Sequence, residues 1–163
     1  MSKDEGRMKE KTKDEDRGSK EGGFVAFREK TEFGKVCLRF RFEKIDAWQL
    51  ARTFNQAVYA ASKGFPKDEA FALTGQLRRA SISVSSNIAE GSGRNSDADF
   101  AHFLEIAYGS LMEAVSQLFL AFDQGYLSRE TFAELQDQAA MLATKIGGLS
   151  KSLGRSPRIQ RRG

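Results

Sequence analysis

The chain has 163 residues and a formal charge of +4, from 26 Lys and Arg against 22 Asp and Glu. That length fits one domain with tails. A single cysteine, Cys37, excludes an internal disulfide framework and points to a reducing compartment. No apolar run reaches the length of a membrane span, and the charged N-terminus lacks a signal-peptide core, so the chain is expected in the cytoplasm.

The net charge and an isoelectric point near 9.3 hide a division along the chain. Residues 1–45 hold 13 Lys and Arg against 10 Asp and Glu; residues 46–154 hold 9 against 12, and residues 155–163 hold 4 against none. The middle is mildly acidic and the basic excess sits in the flanks. Residues 1–23 mix both signs with almost no large apolar side chain, too little to offset the entropy of ordering, and are expected to be disordered. In residues 24–42, Phe24, Val25, Phe27, Phe33, Val36, Leu38, Phe40 and Phe42 suit either a loosely docked arm or further disorder. Residues 1–40 are therefore set apart as an extension.

From residue 41 to 154 the punctuation is that of an all-α domain. Helix 1 is expected over 46–63, with Asp46 as N-cap and Gly64 as stop. Pro66, Asp68 and Glu69 resemble the first turn of helix 2, which would run to the glycine-rich turn Gly91-Ser92-Gly93. Ser96 with Asp99 resembles a capping box opening helix 3, which Gly125 closes; Ser128 caps helix 4, running to about Gly154. Connections this short make neighbouring helices antiparallel. The expected architecture is an antiparallel up-down-up-down four-helix bundle.

The apolar stripes agree. Phe132, Leu135, Ala139, Leu142, Ile146, Leu149 and Leu153 alternate steps of three and four, and Phe100, Leu104, Ala107, Leu111, Ala114, Leu118 and Phe122 do nearly the same. In the second helix, Leu73, Leu77, Ala80, Val84, Ile88 and Gly91 form one stripe, which overrides the short strand-like alternation Ile82-Ser83-Val84-Ser85. Beside it runs a polar stripe of Gln76, Arg79, Ser83, Asn87 and Glu90. Phe71, Ile82 and Ala89 fall on the far side, as Ile106 and Leu120 do in the third helix. An apolar second face on two bundle helices predicts a homo-oligomer that buries it.

Several segments bear on function. Arg78 and Arg79 project about 100° apart, so one can face an interface and the other phosphate; ion pairing within an oligomer is the competing reading. Asn87 and Glu90 suit register-fixing polar contacts, Glu90 with Arg79, Arg94 or a neighbouring subunit, and a ligand-binding role is the alternative. The tail GRSPRIQRRG carries Arg155, Arg158, Arg161 and Arg162 without an acid. Multiplied by an oligomer it would bind RNA or DNA through counterion release, or it simply keeps the protein soluble. His102 with Glu105 is the wrong order and count for a di-metal bundle, so no metal or cofactor is expected. With one histidine and Cys37 outside the domain, no catalytic residues are expected either.

The segments FEKIDAWQLA, GFPKDEAFALTGQLRRASISVSSNIAEGSGR and FAHFLEIAYGSLMEA resemble the bacterial four-helix-bundle family named for the large ribosomal RNA intervening sequence, over roughly residues 40–150. That family includes the accessory variability determinant protein of diversity-generating retroelements. The resemblance implies a small homo-oligomer, typically a pentameric ring, without known catalysis. Its retroelement branch implies a reverse transcriptase partner and contact with RNA or DNA. Carried over by motif, the residues it marks are Gln76, Arg78, Arg79, Asn87, Glu90, Gly91 and Arg94, with Gly109 and Ser110 in the second block. Whether they serve folding or binding stays open at this level.

Overall fold

The computed structural model describes residues 40–154, all within one compact unit of the chain. The expectations for residues 1–39 and for the arginine-rich tail lie outside the described residues. Within them the protein is all-helical: α1 (Asp46–Ala61), α2 (Leu73–Ser92), α3 (Asp97–Asp123) and α4 (Arg129–Ser152), with three short 3-10 turns and no strand. α1 and α3 each pack against both α2 and α4, as four helices around one core require.

The core is the set of stripes read from the sequence. Leu77, Ala80, Val84 and Ile88 of α2 meet Phe100, Leu104, Ala107, Leu111, Ala114 and Leu118 of α3, and Leu135, Ala139, Leu142 and Ile146 of α4. α1 adds Ala47, Ala51, Phe54 and Val58, which also step by four and three. Each large side chain removed from water here contributes about 1.5–3 kcal/mol.

Helix ends explain why the chain turns where it does. The Ser96 hydroxyl accepts from the Asp99 backbone N–H at 3.1 Å and donates to the Asp99 carboxylate at 2.6 Å. This is a cap at the expected place, though the acid binds the serine hydroxyl rather than its backbone. At the start of α4, the Ser128 hydroxyl accepts from Thr131 N–H at 3.2 Å. The Glu130 carboxylate is held below its ordinary pKa by a bond from its own backbone N–H and, second, by one from the Ser128 hydroxyl. α3 ends on Gly125, whose φ of +73° suits glycine. Tyr126 N–H reaches back to Ala121 O and Gly125 N–H to Phe122 O, both at 2.9 Å, which closes a Schellman motif.

Three expectations need correcting. Asp46 is not the N-cap of α1; Ile45 is, without a side-chain cap, and Asp46 is the first helical residue, paired with Lys145 of α4 at 3.0 Å. Nor does α2 begin at Pro66. Lys67–Ala70 is a single 3-10 turn, Ala72 takes a non-helical backbone (φ −98°, ψ −112°), and the helix starts at Leu73. The acids that resembled a first turn do another job: Glu69 accepts the Leu73 N–H at 3.1 Å and the Tyr126 hydroxyl at 3.2 Å. That carboxylate ties the α1–α2 connection to the α3–α4 connection, where Phe65 also packs on the Tyr126 ring. Helix 1 is likewise two residues shorter than expected, because Ser62–Gly64 tightens into a 3-10 turn.

Candidate functional site

The polar stripe of α2 lies where α2 meets α3. Asn87 Nδ2 donates to the Ser83 carbonyl at 2.8 Å and to the Ser83 hydroxyl at 3.1 Å. The Ser83 and Ser110 hydroxyls are 2.8 Å apart, and Ser110 donates to the Ile106 carbonyl at 3.1 Å. A chain of hydrogen bonds thus crosses from one helix to the other, and small side chains keep it short. One turn further on, a Cβ on Gly91 would stand 2.6 Å from Phe103 Cβ and 2.7 Å from the Phe100 ring. Gly91, in the last turn of α2, is therefore a contact glycine against α3.

The arginines divide by partner. Arg94 pairs with Glu90 one turn earlier, and its guanidinium lies 4.5 Å from the centroid of the Phe103 ring. Both side chains are about half exposed, so the pair contributes under about 1 kcal/mol. Arg78 turns to α1: Nε donates to the Ser62 hydroxyl at 2.8 Å and the guanidinium sits 4.8 Å over the Tyr59 ring. Arg79 and Gln76 are exposed. Arg155, Arg158, Arg161 and Arg162 lie outside the described residues.

Of the apolar residues assigned to an outer face, Phe71, Ile82, Ile106 and Leu120 are exposed and Ala89 is not. Phe71 is 95% exposed, Leu120 53%, Ile82 42% and Ile106 41%, with Ala89 half-buried. Phe71 belongs to the turn before α2 rather than to the helix. Gly109 is exposed in the middle of α3 and has open space around its absent Cβ. A helix-interior glycine costs about 1 kcal/mol relative to alanine, and among the described residues nothing crowds this position.

His102 is exposed, 3.8 Å from Glu105. Among the described residues no three His, Cys, Asp or Glu gather as metal ligands. No described helix is long and apolar enough to cross a membrane.

Sequence reasoning missed the α1 half of this surface. Tyr59 and Ser62 hold Arg78, and Asn55 Nδ2 donates to the Ser81 hydroxyl at 3.0 Å. The available signal was the acid-free run of α1, where Arg52, Asn55, Tyr59 and Ser62 recur at helical spacing. Met112 and Phe119, exposed on α3, were missed in the same way.

Comparison with known proteins agrees with the fold. A crystal structure of a protein with unknown function from the S23 ribosomal protein family, from Bacteroides thetaiotaomicron VPI-5482, is similar with a TM-score of 0.60. It is 22% identical, over 64% of this chain and 98% of that one. No curated protein matches the chain. The family model described as 23S rRNA-intervening sequence protein matches residues 43–148. The stripes, caps and α2–α3 contacts above all fall inside that span or at its edge, and the chain belongs to the 23S rRNA-intervening sequence protein family.

Proposed function

We propose that the protein is a non-enzymatic, cytoplasmic adaptor: an antiparallel up-down-up-down bundle that assembles into a homo-oligomeric ring, a pentamer, and binds nucleic acid through the assembled surface. The antiparallel course is supported by the cross-helix pairs. Asp46 at the start of α1 meets Lys145 late in α4, Ser62 at the end of α1 meets Arg78 early in α2, and Gly91 late in α2 meets Phe100 early in α3.

The observation that carries self-association is the apolar outer side of α2 and α3, where Ile82, Ile106 and Leu120 are about half exposed in a lone chain. An apolar side of this kind on a soluble bundle is a surface that a partner covers. Nucleic acid is supported by exposed Arg79, and by Arg94, Arg155, Arg158, Arg161 and Arg162. A reverse transcriptase as further partner rests on the family resemblance alone. A pure protein–protein scaffold is the second reading. It is favoured by Arg78 and Arg94 being already engaged within the chain.

Solution mass with and without short RNA decides between them. The adaptor reading expects an oligomer that Ile82→Asp breaks while helical content persists, and RNA affinity that falls steeply with salt and drops when residues 155–163 are removed. An oligomer with no RNA affinity at low salt leaves the scaffold; a monomer at high concentration removes both. Co-purification with a reverse transcriptase encoded nearby tests that partner.

A further inference from the structure

Charge is segregated between helices. α1 from Ala47 to Ala61, and α2 from Leu73 to Ala89, contain Arg52, Arg78 and Arg79 and no Asp or Glu; Lys63 follows α1. α3 is the reverse, with Asp97, Asp99, Glu105, Glu113 and Asp123 and no Lys or Arg. Among the described residues, no α3 carboxylate is in an ion pair with Lys or Arg, and none of Arg52, Lys63, Arg78 and Arg79 is in one with Asp or Glu. Among the described residues, each sign is left uncompensated.

The two signs also stand on opposite flanks. Arg52 and Tyr59 stand seven apart along α1, Lys63 follows in the 3-10 turn, and Arg78 and Ile82 lie one turn apart on α2. The bonds Asn55–Ser81 and Ser62–Arg78 mark this flank as the α1/α2 side. On α3, Glu105, Met112, Phe119 and Asp123 step by seven, seven and four. Phe119 packs edge-on against Phe132 of α4, 5.0 Å between centroids, which marks the α3/α4 side. α3 touches α2 and α4, and α1 does the same, so these two flanks face away from each other. Arg129, at the start of α4, stands at one end of the second.

Both flanks have the same layout: apolar residues in the middle and charge around them. Tyr59 and Ile82 are 37% and 42% exposed on the first, Met112 and Phe119 39% and 47% on the second. Beside Met112, a groove of about 170 Å³ opens between α3 and α4, lined by Val115, Gln136, Ala139, Ala140 and Ala143. It offers an apolar seat for a protruding side chain.

Resting on the oligomeric reading above, we infer that the cationic α1/α2 flank of one copy docks on the acidic α3/α4 flank of the next. The contact is head-to-tail, with Arg52 and Lys63 opposite Glu105 and Asp123, and Tyr59 and Ile82 against Met112 and Phe119. A head-to-tail contact between unlike surfaces closes into a ring or runs on as a filament, whereas a twofold contact stops at two. A second copy accounts for more of the first flank than a phosphate backbone does. Phosphate would neutralise the cations and leave Ile82 wet; the acidic flank supplies both charge and apolar cover. Complementary charge also sets register, since like-charge juxtaposition is penalised.

The test is charge exchange on the full chain, read by sedimentation at physiological salt with circular dichroism as the control for folding. Arg52→Glu with Lys63→Glu is expected to reduce the wild-type oligomer to the 18.1 kDa chain, and so is Glu105→Lys with Asp123→Lys. The four-substitution chain, with both flanks exchanged, is expected to recover the wild-type mass. If the wild type is an oligomer and either pair leaves its mass unchanged, the flank assignment is overturned while the oligomeric reading stands. A helical four-substitution chain that stays at 18.1 kDa also overturns it. If Arg52→Glu with Lys63→Glu abolishes RNA binding at unchanged mass, the α1/α2 flank is a nucleic-acid seat and the inference fails. A monomeric wild type removes the oligomeric reading itself, and this inference with it.

Discussion

Between α2 and α3 the backbones come so close that Gly91 has no room for a Cβ, whereas between α1 and α4 open grooves of about 520 and 330 Å³ remain. The first seam is held by glycine, serines and a hydrogen-bond chain through Asn87, Ser83 and Ser110. The second is lined by Ala57, Ala60 and Ala61 and closed at one end by the exposed Lys145–Asp46 pair. Small residues occur in both. Where hydroxyls bridge the two helices they come together and their register is fixed; where the α1 alanines stand opposite Thr131, Glu134, Leu135 and Gln138 of α4, space is left over.

Substitutions sharpen that contrast. Leu111→Ala, on the stripe shared by the whole core, sets the scale: a loss of about 2–5 kcal/mol in denaturant unfolding is expected. Gly91→Ala forces a methyl into the Phe100 and Phe103 side chains and is expected to cost about 1–3 kcal/mol, although alanine is the better helix former. A stabilised variant would show that the seam is looser than described. Ser83→Ala removes the middle of the cross-helix chain and is expected to cost about 1 kcal/mol. In the slack seam, Ala60→Leu fills part of the 330 Å³ groove and is expected to stay within about 0.5 kcal/mol of wild type or to stabilise.

The smallest effect is a pH dependence at the tie between connections. Partial burial raises the Tyr126 hydroxyl pKa above 10.0, and its bond to Glu69, the Glu69 charge and the Asp68 charge add to this. A raised folded-state pKa means that the contribution is fully present below pH 10.0 and lost as pH climbs through the folded value. Tyr126→Phe is expected to flatten the alkaline limb of the stability profile and leave the neutral plateau nearly unchanged. An unaltered limb would show that the hydroxyl is not what titrates there.

How far the sequence carries depends on whether a signal is local. The stripes of α2, α3 and α4 were legible because a period of three and four over twenty residues admits one geometry, and Ser96 and Ser128 were legible because a cap acts within three residues. The start of α2 was not. Pro66, Asp68 and Glu69 carry the signature of a helix N-terminus, but Glu69 spends its carboxylate on Leu73 and on Tyr126, 57 residues away. Gly91 was legible as the last member of the α2 stripe, but not as a position without room for a side chain, because what forbids one there belongs to α3. The outer apolar residues were legible from spacing alone, while the Tyr59–Arg78–Ser62 arrangement needed two helices placed side by side.

The four helices differ in length. α3, with 27 residues, spans about 40 Å, and α1, with 16, about 24 Å. The connection after α1 makes up part of the difference, and its Phe65, 7% exposed, packs beside Tyr126. The opposite connection, residues 93–96, is exposed throughout. A peptide tag or fluorescent module grafted between Gly93 and Ser96 should therefore leave folding intact, while the same graft at Phe65 would uncork the molecule.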